Sequence, residues 1–185
     1  SELEKVRKES ERNLRSNEKL LRELDELSER NLDKLRRFVE EVRELVREML
    51  ERLDSVRRRN VSEDELRKLA REVEEILKRI KERLERLAKE SEDLLRELKK
   101  RLEKHEEDSK ELAKRLRDEL RDRRVSEEVK RDVERNEKEN KELLDRTRRK
   151  VEENAKRNKK LLEDIREDLK RLATELRRKL EEIRR

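Results

Sequence analysis

The chain of 185 residues has no glycine, proline, cysteine, tryptophan or tyrosine, and Phe38 is its only aromatic side chain besides His105. Average usage of about 7% Gly and 5% Pro would supply roughly 22 such residues. Without them the chain lacks the usual means of making positive-φ turns, tight hairpins, cis bonds and phosphate-cradling loops, so sheets and most nucleotide-binding architectures are excluded. The missing cysteines remove disulfides, thiolate chemistry and cysteine zinc sites, and leave the redox compartment open. The missing aromatics remove the platforms on which single-stranded nucleic acid stacks. No run approaches 18 apolar residues and no N-terminal segment resembles a signal peptide, so the expectation is a soluble chain with no membrane partner, no export signal and no compartment of its own.

What is present is charge. Lys and Arg number 59, Asp and Glu 53, and together they make up 61% of the chain, against about 25% in an ordinary domain. The net charge of +6 is a small difference of two large numbers, with the signs mixed residue by residue. A sequence pI near 9.5 nominally invites nucleic acid. Phosphate binding needs a basic stripe with few interleaved carboxylates, and none is visible. The densest basic run, Arg57 to Arg59, and its counterpart Arg121, Arg123 and Arg124 fall where helices end, and cations favour that end of the helix dipole. No nucleic-acid partner is expected.

High charge with low hydropathy is also the composition of disorder. Periodicity decides against it. Leu, Val, Ile and Phe recur at spacings of three and four through three long seams. The first runs Leu3, Val6, Ser10, Asn13, Asn17, Leu20, Leu24, Leu27, Asn31, Leu35, Phe38 and on to Val56. The second runs from Leu66 through Ser91, Leu98, His105 and Ser109 to Leu120, and the third from Val129 through Asn140, Thr147 and Asn158 to Ile183. Flanking residues such as Leu14, Leu21, Leu32 and Val39 widen the stripe to about three positions per heptad, enough for a helix that touches two neighbours.

Two breaks separate the seams, and both contain Val-Ser-Glu: Asn60 Val61 Ser62 Glu63 and Arg124 Val125 Ser126 Glu127. Ser62 with Glu65, and Val61 with Leu66, read as a capping box with a hydrophobic staple. Ser1 with Glu4 opens the first helix similarly, and Ser126 caps the third with an incomplete box. Asn60 is the residue expected to take the left-handed conformation after the first helix. The spacing predicts helices near 2–59, 63–123 and 127–184, each close to 90 Å at about 1.5 Å rise per residue. Short loops make consecutive helices antiparallel neighbours, so the expected fold is all-α: an elongated, coiled-coil-like, up-down-up three-helix bundle forming one domain. A single continuous rod is the alternative.

The seams contain polar residues: Ser10, Asn13, Asn17, Ser28 and Asn31 in the first, Ser91, His105 and Ser109 in the second, and Asn136, Asn140, Thr147, Asn154 and Asn158 in the third. Counting back from each turn places Ser91 level with Asn31 and Asn158, His105 with Asn17 and Thr147, and Ser109 with Asn13 and Asn140. The stretches 32–56, 66–88 and 161–183 have apolar seams at one end of such a bundle, and the polar positions share the other half. Each amide or hydroxyl buried without a partner costs about 1 to 3 kcal/mol, so these groups must satisfy one another or water. Such networks penalise wrong registers more than they add net stability.

On these features the chain resembles the computationally designed helical bundles with buried hydrogen-bond networks: Leu-rich seams interrupted by layers such as Asn31, Ser91 and Asn158, surfaces of Glu, Lys and Arg, and loops built on Val-Ser-Glu. The resemblance spans the whole length and implies a scaffold, a self-assembling unit or an interaction module with no natural substrate. Many such bundles are symmetric oligomers of two-helix chains, whereas three helices are expected here, so the oligomeric state stays open.

Other chemistry is weak. His105 is the only histidine, which excludes a multi-histidine metal site within one chain, and Ser109 one turn later reads as a network neighbour rather than half of a catalytic dyad. Protonation of His105 offers a pH-responsive element. The carboxylate pairs Glu74–Glu75 and Glu106–Glu107 sit among Lys and Arg at three- and four-residue spacing, as solvated faces do. A close-packed three-helix core is expected to leave little room for a small polar ligand beside the asparagines. The expectation is therefore a non-enzymatic scaffold, with no cofactor, no metal and no required partner; self-association or capture of a partner helix is the rival reading.

Overall fold

The computed structural model describes residues 2–121 and 126–184. Three α-helices account for nearly all of them: α1 (Glu2–Arg58), α2 (Glu63–Arg121) and α3 (Glu127–Arg184). The first helix ends one residue before the expected boundary. Its last turn closes through Arg59 N–H donating to the Val56 carbonyl at 3.1 Å, a three-residue bond that satisfies a terminal carbonyl without a left-handed residue. Asn60 accordingly does not take the expected conformation, and no described residue has positive φ.

Both internal helix starts are capped by serine. The Glu65 N–H donates to Ser62 Oγ at 3.3 Å and the Val129 N–H to Ser126 Oγ at 3.4 Å. Acidic residues fill the first turns of α2 and α3 and basic residues the last turns of all three helices, as the helix dipole favours. The Ser1 cap, the Val125 half of the second loop and Arg123 and Arg124 lie outside the described residues.

The helices form two compact units, each drawing on all three. Unit 1 comprises 1–30 and 93–156, and unit 2 comprises 31–92 and 157–185. In unit 2 an unbroken apolar core runs through Leu35, Phe38, Val42, Val46, Met49 and Leu53 of α1, Val73, Ile80 and Leu84 of α2, and Ile165, Leu176 and Leu180 of α3. The Arg83 guanidinium lies 5.5 Å from the Phe38 ring centroid, and pairs with Glu41 at 2.7 Å.

Unit 1 has two separate apolar clusters. One gathers Val6, Leu116, Leu120, Val129 and Val133, the other Leu20, Leu24, Leu98, Leu102, Leu144 and Val151. Position numbers rise along α1 and α3 and fall along α2 from the first cluster to the second, so within the unit α2 runs antiparallel to both neighbours. On every helix a polar stretch separates the clusters. Ion pairs between helices flank it, including Arg115 with Glu9, Arg101 with Glu23, Arg148 with Glu106 and Lys150 with Asp25.

Candidate functional site: the buried amide and hydroxyl layers

Asn17 is the hub of the polar stretch in unit 1. Its side chain is 1% exposed and bonds to both other helices. Nδ2 donates to Ser109 Oγ at 3.0 Å and to Asn140 Oδ1 at 2.8 Å, and Oδ1 meets His105 Nδ1 at 2.9 Å. Because an amide oxygen only accepts, His105 carries its proton on Nδ1. Ser109 Oγ also exchanges bonds with half-buried Asn13, accepting from Nδ2 at 3.2 Å and donating to Oδ1 at 3.3 Å. One α1 asparagine thereby uses its whole amide to join α2 and α3.

Unit 2 has a smaller layer of the same kind. Asn31 Nδ2 donates to Asn158 Oδ1 at 2.6 Å, and Ser91 Oγ donates to Asn31 Oδ1 at 3.2 Å. These are the three residues that counting from the turns sets level.

The remaining polar seam residues behave differently. Thr147, 0% exposed, donates to the Leu143 carbonyl of its own helix at 2.8 Å and does not join His105. Asn140, set level with Ser109 by counting from the turns, has no direct bond to it, and both bond to the Asn17 amide. Asn136 is half-buried and shares no hydrogen bond with the network, and Asn154 is buried. Ser28 is buried with its Oγ unpartnered, and Ser10 is buried with no side-chain bond to protein.

Burial holds the His105 pKa below the ordinary histidine value; Asp108 opposes this, Arg101 and Lys104 reinforce it, and Glu23 opposes it. The hydroxyl of Ser109 is committed to two asparagines, so no serine–histidine pair is poised for nucleophilic attack. The carboxylates that invite an acid–base reading face cations: Glu74 receives Arg177 at 2.8 and 3.1 Å, Glu75 receives Arg79 at 2.9 Å, and Glu106 receives Arg148 at 2.7 and 2.9 Å. The guanidinium bond of Arg177 lowers the Glu74 pKa, the opposite of what a general acid requires. Among the described residues no group of three His, Cys, Asp or Glu side chains is placed to hold a metal ion.

Packing around the unit 1 network is looser than expected. Between α2 and α3 a groove of about 490 Å³ opens onto Ser10, Asn13, Ser109 and Asn140. Short side chains at these positions, and Ala113 on the wall, leave space that leucines would fill. The signal for it in the sequence is an alanine beside the Leu112–Leu116 stripe.

An all-α, three-helix bundle whose core contains hydrogen-bonded layers of asparagine and serine is the class of protein that this fold and these contacts define. No family model matches the chain, and no curated protein is similar to it. Among solved structures the fold is similar to a "Computationally designed three helix bundle", with a TM-score of 0.58 over 99% of this chain and 93% of that one, at 18% sequence identity.

Proposed function

We propose that the chain is a designed structural scaffold, one domain with no natural biochemical activity, whose polar layers specify the register of its helices. The observation that supports this best is the use of Asn17: one buried amide makes bonds to α2 and α3 that exist only in one register. Sliding a helix by one turn, about 5.4 Å, would leave several of these groups buried and unpaired, at about 1 to 3 kcal/mol each. Such layers select one arrangement by penalising the others. No catalytic step, cofactor or metal enters this reading. Among the described residues no helix is long and apolar enough to cross a membrane.

The second reading is an interaction module that accepts a partner helix or a second copy. What favours it is a groove of about 710 Å³ in unit 2, floored by Leu77, Ile80, Leu84, Leu169 and Ala173. Against it, Leu45 at 41% is the only exposed large apolar side chain among the described residues. Light scattering separates the two. A concentration-independent mass of 23.0 kDa supports the scaffold, and a multiple supports the module. A single calorimetric unfolding transition is expected of one domain, whereas two resolved transitions would divide it.

A further inference from the structure

The polar groups around the unit 1 groove are unequally used. Asn17 has both amide protons and its oxygen engaged, and Ser109 is bonded to two asparagines. Asn140 is 5% exposed, yet only its Oδ1 is used; its Nδ2 has no protein acceptor. Ser10 is 4% exposed and its hydroxyl has no protein partner. Neither atom is sealed: the only side-chain atoms fully buried without a partner among the described residues are Arg7 Nε and Ser28 Oγ. Both Ser10 and Asn140 line the groove.

The other walls are Leu112, Ala113, Leu116, Val133 and Leu144. The rim is close to electroneutral, since Arg117 pairs with Glu137 at 2.8 Å and Glu106 is held by Arg148. A recess of about 490 Å³ with apolar sides and two unspent donors among its lining residues has the size and make-up of a small-molecule site. The larger groove of unit 2 differs in that its one neutral side-chain donor, the Thr174 hydroxyl, is spent on the Lys170 carbonyl.

We infer that the unit 1 groove is a binding site for small neutral molecules with a hydrogen-bond-accepting oxygen on a compact apolar body, the oxygen accepting from one Nδ2–H of Asn140 and from the hydroxyl of Ser10. The apolar body lies against Leu112, Ala113, Leu116 and Val133. Because Asn140 accepts from Asn17 through Oδ1 and would donate to the ligand through Nδ2, binding leaves the network bonds in place. The site adds a ligand to the scaffold without requiring an oligomer, so its test does not depend on solution mass.

Camphor, a rigid hydrocarbon cage with one carbonyl, is a suitable probe. In ¹H–¹⁵N spectra of the full chain, titration is expected to move the Asn140 side-chain amide and the backbone amides around Ala113 along a saturating curve. Ser10→Ala removes a hydroxyl with no protein partner, so it is expected to fold normally and to weaken binding about three- to tenfold, the range for one hydrogen bond. Ala113→Leu fills the groove and is expected to abolish saturation, with circular dichroism reporting that the helices persist. Shifts that stay linear to the solubility limit would overturn the assignment, as would an affinity unchanged in Ser10→Ala. If Ala113→Leu does not fold, Ser10→Ala decides alone.

Discussion

Asn17 and Asn140 stand 123 positions apart in the chain, and the amide of one donates to the amide oxygen of the other across 2.8 Å in a buried setting. The bond ties the first helix directly to the third, the pair that no turn connects. Few residues separate α1 from α2 and α2 from α3 in the sequence; the α1–α3 contact has no such covalent proximity and depends on side chains.

Truncating the hub exposes this dependence. Asn17→Ala leaves the Asn140 oxygen and the His105 Nδ1–H without their partner and removes one of the bonds to Ser109. With each stranded group costing about 1 to 3 kcal/mol, and with water reaching Asn140 from the groove, a loss of about 2 to 4 kcal/mol is expected. For a chain of this size that lowers Tm by about 5 to 15 °C. A thermal or urea melt checks it, and a change below about 1 kcal/mol would show that the hub contributes little.

The layer in unit 2 offers a cleaner pairwise measurement. Asn31 and Asn158 meet at 2.6 Å, so Asn31→Ala and Asn158→Ala are expected to be non-additive, with a coupling of about 0.5 to 3 kcal/mol in a double-mutant cycle. Ser91 donates to the same Asn31 oxygen, so Asn31→Ala strands the Ser91 hydroxyl as well. Additive effects would mean the bond is not made in solution.

Ser28 makes the opposite case. Its hydroxyl is buried and unpartnered, so Ser28→Ala removes a desolvation cost while leaving almost the same volume. Stability is expected to rise by up to about 1 kcal/mol, read as a higher urea midpoint with unchanged slope. A loss of more than about 1 kcal/mol would reveal a partner for Ser28 that the static contacts lack, such as the carbonyl one turn back.

The contrast between Asn31 and Ser28 marks how far the sequence could be read. Three helices, their breaks and their serine caps follow from a sustained three-and-four spacing and from what Ser62 and Ser126 do locally. The Asn31, Ser91 and Asn158 layer follows from counting back from the turns, because equal helices with short loops leave little freedom in height. Height is not contact, however. A shift of one residue is only about 1.5 Å along the axis, yet it turns a side chain by about 100°. Rotamer and rotation decide that Asn140 meets Asn17 instead of Ser109, that Thr147 folds back on Leu143, and that Ser10 faces a groove. None of these has a signature in residue spacing. The groove itself depends on the summed volume of Ser10, Ser109, Asn140 and Ala113, a property of three helices at once.

His105 gives the pH dependence, and its sign follows from burial. Desolvation lowers the folded-state pKa, with Asp108, Arg101, Lys104 and Glu23 as the surrounding charges. The unfolded chain keeps a value near 6.5, so between the two pKa values the unfolded state binds the extra proton. The contribution of His105 is therefore fully present above about pH 6.5 and is lost as pH falls through that value toward the lowered folded one. Protonation does not break the bond to Asn17, because Nδ1 already donates to Oδ1; what it adds is a charge in a partly desolvated site beside Arg101 and Lys104. Urea midpoints measured from pH 7.5 down to 5 are expected to decline. His105→Asn keeps an amide donor for Asn17 and removes the titration, so its profile across that window is expected to be flat. A wild-type profile equally flat, or one that rises on acidification, would mean that His105 is not desolvated in the folded state.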